Sequence, residues 1–189
     1  MTMLRISHTV ASTTAEGPGN RFALWVQGCT IRCPGCCNPH LFNPRGGHDI
    51  ALDDLMAKIM ASDVEGISVL GGEPMQQAKP LAELAARVKS AGRSVMVYSG
   101  YLYEDLLLDP DTKSVLDSTD ILVDGQYERD KPETTRRWIG SRNQRVHFLS
   151  DRYTMDDQWR RPNEVVVRLT RKGLDIHGWP GVDITMGKR

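Results

Sequence analysis

The sequence predicts an α/β protein, a parallel sheet with covering helices. Short apolar runs rich in β-branched and aromatic side chains recur along the chain. Stretches with helical spacing of Leu, Ile, Val and Ala separate them, and Gly, Pro, Ser or Asp stands at the end of each run. That alternation is the pattern of βα units, whose strands lie parallel.

Taken in order, residues 1–20 are polar and end in Glu16-Gly17-Pro18-Gly19-Asn20, turn formers that predict a hairpin or loop before the first core strand, Arg21–Gln27. Ala51–Ser62 sets Leu52, Leu55, Met56, Ile59 and Met60 at helical spacing, with the methionines read as core packing. Asp53 and Asp54 suit the positive end of that helix. Gly66–Leu70 is the next strand, followed by Gly71-Gly72-Glu73-Pro74. Lys79–Ala91 reads as a helix with Leu81, Leu84, Ala85 and Val88 on one face and Gly92 as its stop. Strand Ser94–Tyr98 ends at Ser99-Gly100-Tyr101, a helical patch spans Tyr103–Leu108 before a turn at Asp109-Pro110, and strand Asp120–Val123 ends at Asp124-Gly125. Beyond it the pattern changes. Glu128–Arg137, charged and containing Pro132, is the one candidate linker, and Arg145–Leu149, Glu164–Leu169 and Asp175–His177 read as strands. Arg152–Asn163 is polar and shows neither period. There is no internal repeat.

A chain of 189 residues fits one domain, here 1–189 with a core of about 21–148 and a C-terminal extension of about 149–189. Its 24 basic and 24 acidic residues cancel, which argues against a strongly basic nucleic-acid binder. Its apolar content excludes a disordered chain. No apolar run approaches the ~18 residues of a membrane span, and the N-terminus lacks the apolar core of a signal peptide. The expectation is a soluble cytoplasmic protein with neither nucleic-acid nor membrane partner.

All four cysteines, Cys29, Cys33, Cys36 and Cys37, fall in one short stretch. Disulfides within it would close only tiny, strained loops, and a reducing compartment disfavours them. Tetrahedral zinc commonly takes two separated Cys pairs, and there is no second pair here; His40 and His48 could complete a Cys/His set only at unusual spacing. An iron–sulfur cluster held by Cys29, Cys33 and Cys36 fits the spacing better, with one iron left open and Cys37, whose side chain diverges from its neighbour's, as a non-ligand. The loop follows a strand directly, so the cluster would sit at a strand's C-terminal end, where α/β barrels place their chemistry.

The spacing C-x3-C-x2-C in this setting resembles the radical S-adenosylmethionine superfamily, most closely the activating enzymes of anaerobic (class III) ribonucleotide reductase. The matching pieces, in the family's order, are Gly28–Pro39, Leu70–Pro74, Ser99–Leu106, Asp120–Gly125 and Gly140–Gln144. The resemblance implies a [4Fe-4S] cluster on Cys29, Cys33 and Cys36, with Gly35 inside the motif among the residues that contact the cofactor. Gly71, Gly72 and Glu73 would receive the amine of S-adenosylmethionine, Ser99 its ribose or carboxylate, and Asp124 a cation or the substrate glycine. It implies reductive cleavage of that cofactor to a 5′-deoxyadenosyl radical, which takes a hydrogen atom from a glycine of the partner reductase. Flavodoxin or ferredoxin would be the electron donor. Gly140–Gln144 reads either as an ordered turn with Asn143 and Gln144 bonding to backbone or as a lining of the partner or cofactor side. Trp25, Trp138 and Trp179 read as packing residues, and the five histidines as structural or exposed. Gln126 and Ile139 stand where the subfamily more often has basic residues, which keeps a radical enzyme acting on a small molecule or peptide as an alternative. A non-catalytic zinc or Fe–S interaction module is a second alternative.

A complete (β/α)8 barrel takes about 200–250 residues or more. This chain has room for a partial (β/α)5-6 TIM-like barrel, open on one side, and a large substrate would be the natural cover for that side.

Overall fold

The computed structural model describes residues 1–170 and 173–178. Strand β1 (Met3–Thr13) reaches the turn at residues 14–20 and returns as β2 (Arg21–Val26), antiparallel, with Thr9 opposite Leu24 and Val10 opposite Ala23. Of the hairpin or loop that the Gly-Pro-Gly run predicts, the structure has the hairpin, and its long first strand lies in a stretch that reads as polar. After the cysteine loop, β3 (His48–Ala51) pairs with the outer side of β1 and leads into α1 (Leu52–Met60). The alternation then proceeds through β4 (Gly66–Gly71), α2 (Ala78–Ser90), β5 (Ser94–Tyr98), the short α3 (Tyr103–Leu106), α4 (Pro110–Leu116) and β6 (Ile121–Asp124). Strand β7 (Arg145–Phe148) returns antiparallel to β6. The sheet is mixed and not closed, in the order β3-β1-β2-β4-β5-β6-β7. Beyond it, β8 (Val166–Thr170) and β9 (Gly173–His177) form a separate two-stranded hairpin.

Parallel pairing joins β2, β4, β5 and β6, the four strands of the alternation, where the chain length left room for five or six. The remainder follows from the connections. A parallel neighbour needs a long crossover, usually a helix. A seven-residue turn joins β1 to β2, and no helix lies between β6 and β7, so both pairs are antiparallel, as is β3 on β1.

Alternate residues of the parallel strands face opposite ways, and the two faces differ in character. Phe22, Leu24, Ile67, Val69, Val95, Val97 and Leu122 pack against Leu52, Leu55, Ile59, Leu81, Leu84, Val88 and Val115 of the helices. The other face carries Trp25, Leu70, Met96, Tyr98, Ile121 and Val123, and only part of it is filled, by Trp138, Ile139 and Trp159. The unfilled part is a cleft.

Several expectations are corrected. Met60 is 48% exposed and does not join the core, whereas Met56 packs against it. The turn at Asp109-Pro110 is the start of α4: Asp109 caps it, accepting from the N–H groups of Asp111 and Thr112, and Pro110 takes the first helical position. Glu128–Arg137 is no linker. Glu133 is buried and accepts from the backbone N–H groups of Thr134, Thr135 and Arg136, and Arg137 is buried as well. The polar run 152–163 contains Trp159, fully buried against Trp138 and Phe148. Trp179 lies outside the described residues.

Candidate metal centre and cleft

The cysteine loop leaves the end of β2 and is fastened at its base. The N–H of Gly28 donates to the Leu41 carbonyl at 2.9 Å and that of Cys29 to the Phe42 carbonyl at 3.3 Å, after a 310 turn at Pro39–Leu41 that buries Leu41. Within the loop Arg32 is left-handed (φ 54°), an unusual conformation for a side chain other than glycine, which bends the chain between Cys29 and Cys33. All four cysteines are free: Cys29 is buried, Cys33 and Cys36 are half-buried and Cys37 is exposed. The Cys37 side chain does not diverge from its neighbour's as expected: its thiol donates to the Cys36 sulfur, which pulls the Cys36 pKa down to about 6, while burial pushes Cys33 up.

Gly71 and Gly72 lock this loop to the neighbouring strand. Gly72 N–H donates to the Val26 carbonyl at 2.9 Å and Glu73 N–H to that of Gly28 at 2.8 Å. Gly71 has φ 109°, and a Cβ on Gly72 would stand 2.1 Å from the Gly28 oxygen. The glycines therefore allow backbone to approach backbone, and not only backbone to approach a ligand. The Glu73 carboxylate is buried. One oxygen accepts from Met75 N–H at 3.0 Å and from the Ser99 hydroxyl at 2.9 Å, the other from Gly100 N–H at 2.8 Å. Burial raises its pKa to about 7 against the lowering effect of those bonds. Glu73 and Ser99, two expected cofactor contacts, thus meet each other and join the ends of β4 and β5.

The sequence reading missed the next two residues. Gln76 accepts from Thr30 N–H and donates to the hydroxyls of Thr30 and Tyr101, so it staples the cysteine loop to the end of β5. Gln77 accepts from Arg5 N–H and donates to the carbonyls of Arg5 and Gln27. Their only advance signal was an amide pair directly after Gly71–Pro74.

These strand ends surround a cleft of about 910 Å³. Cys29, Cys33, Cys36, Cys37, Gly71, Gly72, Glu73, Ser99 and Gly100 all line it. Its walls also include His8, Glu16, Trp25, Tyr98, Tyr127, Trp138 and Ile139. Trp25 and Trp138 are packing residues as expected and cleft walls as well. His8 stacks on Trp25 with ring centroids 4.4 Å apart. Glu16 accepts from Gly178 N–H at 2.9 Å, and burial lifts its carboxyl to about 7.

Two of the expected residues are not brought to the cleft. Gly35 (φ 75°) faces Arg129, whose Cδ would lie 2.6 Å from an added Cβ. The Asp124 carboxylate is fully buried beside Arg145, accepts from Tyr103 N–H at 2.7 Å and lies 3.2 Å from His147. Burial works to raise its pKa, but the Arg145 and Tyr103 bonds and the nearby His147 outweigh that and lower it. Only the next residue, Gly125, reaches the cleft. The turn Gly140–Gln144 is ordered, and Gly140 and Gln144 also line the cleft, so it meets both of its readings. Gln144 accepts from the N–H groups of Gly140 and Ser141 and donates to the Gly125 carbonyl, and Asn143 donates to that of Gln126.

The family profile described as "4Fe-4S single cluster domain" matches residues 15–147. The "anaerobic ribonucleoside-triphosphate reductase-activating protein" of Enterobacteria phage T4 is 31% identical over 143 residues, covering 72% of this chain and 88% of that protein. The protein of the same name from Escherichia coli K12 is 32% identical over 143 residues, covering 71% and 92%. The chain belongs to this family of reductase-activating proteins. Vibrio cholerae has a further member, 31% identical over 141 residues and covering 70% and 90%. Among solved structures, QueE from Escherichia coli aligns with a TM-score of 0.44 at 18% identity over 52% of each chain.

As a reductase-activating family member carrying a 4Fe-4S domain, the chain has a donor set that fits the cluster. All four thiols, on one short loop, line the cleft, with Cys29, Cys33 and Cys36 at the C-x3-C-x2-C spacing. Among the described residues no three His, Cys, Asp or Glu side chains converge as a single ion requires. A cluster asks for a thiolate at each of several separate irons. Among the described residues, no helix is long and apolar enough to cross a membrane.

Proposed function

We propose that this chain holds a [4Fe-4S] cluster on Cys29, Cys33 and Cys36, cleaves S-adenosylmethionine reductively, and installs a glycyl radical on an anaerobic ribonucleotide reductase. The observation that carries this is the meeting, in one cleft, of the three thiols with the ends of β4 and β5. When bound, the reduced cluster supplies one electron to the sulfonium bond of the cofactor, giving methionine and a 5′-deoxyadenosyl radical that takes the α-hydrogen atom of a partner glycine, which keeps the unpaired electron.

The residues of the chain bind, orient and exclude water. Cys29, Cys33 and Cys36 would hold the cluster, leaving one iron open. Glu73 fixes Ser99 and Gly100 relative to Gly71 and Gly72, so the two strand ends present their backbone groups as one surface to the cofactor's amine and ribose. Val10, Leu70, Trp138 and Ile139 give the cleft apolar walls that keep water from a reactive intermediate. Asp124 acts through Arg145 and the backbone rather than as a ligand. We read the four parallel strands, with β1 beside them, as a partial barrel within one radical S-adenosylmethionine domain, its open side covered by the reductase. The exposed outer side of the cysteine loop, at Thr30, Arg32 and Pro34, is where flavodoxin or ferredoxin would deliver the electron. The cytoplasm, where thiols stay reduced, suits this chemistry.

The test is anaerobic reconstitution. The protein should take up about four irons per chain and release 5′-deoxyadenosine when given S-adenosylmethionine and a reductant. Binding of zinc instead, or a cluster indifferent to S-adenosylmethionine, sinks the proposal.

A further inference from the structure

The family profile ends at residue 147, yet the chain beyond that point packs around the cleft's walls. Tyr153 reaches the buried Arg21 and the Ser94 hydroxyl at the floor of the sheet. Glu164 pairs with Arg137 at 2.7 Å and accepts from the Thr14 hydroxyl. Gly178 lines the cleft and holds Glu16.

The most specific of these contacts converge on Trp138. This residue is left-handed (φ 68°), a conformation that costs a bulky side chain energy and persists only where the surroundings impose it. Its backbone N–H donates to the Asn163 side chain at 2.7 Å. Its indole N–H donates to the Thr14 carbonyl at 3.1 Å, the Arg137 guanidinium lies 4.6 Å over its ring, and Trp159 meets it edge-on at 5.0 Å. Trp138 and the next residue, Ile139, both form cleft wall. Asn163 and Trp159, which lie beyond the profile, therefore impose a strained wall on a cleft whose cysteines and Gly71–Glu73 turn lie within it. Cluster and cofactor chemistry is common to a family and belongs to its shared part. A wall set from outside that part is free to differ with the macromolecule that must enter.

We propose that Asn163 and Trp159 are positioning residues which, by fixing Trp138 and Ile139, shape the side of the cleft that receives the glycine-bearing segment of the reductase, a role that rests on the function proposed above. They act on how the hydrogen-atom donor fits, and not on cofactor cleavage itself.

The experiment compares the reconstituted full-length protein with Asn163→Ala and Asn163→Asp, the latter keeping an acceptor for the Trp138 N–H. Three quantities are read: iron content, 5′-deoxyadenosine released without the reductase, and glycyl radicals formed per 5′-deoxyadenosine with it. The circular-dichroism couplet of the Trp138–Trp159 pair reports whether the wall has moved. For N163A the expected result is unchanged iron and partner-free cleavage, a weakened couplet, a raised KM for the reductase and about a tenfold or greater fall in radicals per cleavage; N163D recovers both. A weakened couplet with coupling unchanged overturns the proposal, as does loss of partner-free cleavage in step with coupling. Should N163A fail to fold, Trp159→Phe, which keeps an aromatic ring in the core, is judged on iron, cleavage and coupling by the same outcomes. A wild-type protein that cleaves the cofactor but radicalises no reductase counts against the underlying function rather than against the wall.

Discussion

Cys36 and Cys37 are adjacent in the chain and unequal in their surroundings. Cys36 is half-buried, accepts a hydrogen bond from its neighbour's thiol and another from Asn38 N–H at 3.4 Å, and is the more acidic of the two. Cys37 is exposed at the cleft edge. Replacing Cys36 with Ala should abolish both iron uptake and cofactor cleavage, whereas Cys37→Ala should leave both near wild type; a C37A protein unable to assemble a cluster would show the ligand set to be wrong. Gly72→Ala tests the glycine pair in the same assay. Its Cβ would need 2.1 Å to the Gly28 carbonyl, a backbone atom that cannot swing aside, so the cysteine loop must shift and iron uptake should fall. Normal iron content in G72A would mean that the loop tolerates the displacement. The cysteine spacing and the Gly-Gly-Glu turn were legible in the sequence because each is a local pattern following a recognisable strand. The partners of Glu73 were not, since Ser99 and Gly100 arrive from the next strand and only the register of β4 on β5 brings them within reach. For the same reason Asp124 could not be read as the partner of Arg145, which sits on an antiparallel strand 21 residues away.

At the scale of elements, the ends of β4 and β5 are tied through a carboxylate held in a buried site. Its folded pKa, about 7, lies above the 4.5 of an ordinary glutamate. A raised acid favours the folded state fully below the unfolded pKa and loses that contribution as pH rises through the folded one. Glu73 should therefore cost the protein stability between about pH 4.5 and pH 7, by up to ~3 kcal/mol. Glu16, lifted to about 7 by burial, adds in the same window. Glu133 works the other way. Burial opposes its ionisation, but the Thr135 and Arg136 donors prevail and hold it near 2, so its contribution is present above the ordinary glutamate pKa and lost as pH falls toward 2. Denaturant melts of the apoprotein across pH 4.5 to 7 should show a slope that Glu73→Gln flattens; an unchanged slope in E73Q would place the titration elsewhere. The elements themselves followed from periodicity where helix and strand alternate. The exceptions are α4, whose Asp-Pro start reads as a turn; β1 and β3, which carry no strand signal strong enough to read; and the antiparallel direction of the edge partners, which depends on what connects them.

At the scale of the molecule, one face of the sheet is closed by helices and the other only in part, with Trp159 filling the gap beside the cleft. Nothing in the polar run around Trp159 announces a core residue, because a single large side chain carries no period. Trp159→Ala should cost about 3–5 kcal/mol, seen as a lower denaturation midpoint; a loss under 1 kcal/mol would mean that the site collapses around the gap. Arg21, buried beneath the same face, is held by Ser68, Ser94, Tyr153 and the Ile67 carbonyl, none of which lines the cleft. The open cleft is what the central claim depends on. That claim is tested most directly by incubating the reconstituted, reduced protein with S-adenosylmethionine and an anaerobic ribonucleotide reductase and recording the electron paramagnetic resonance spectrum. A glycyl radical on the reductase, lost in C36A and retained in C37A, is the predicted result; release of 5′-deoxyadenosine with no radical on any such reductase would contradict it.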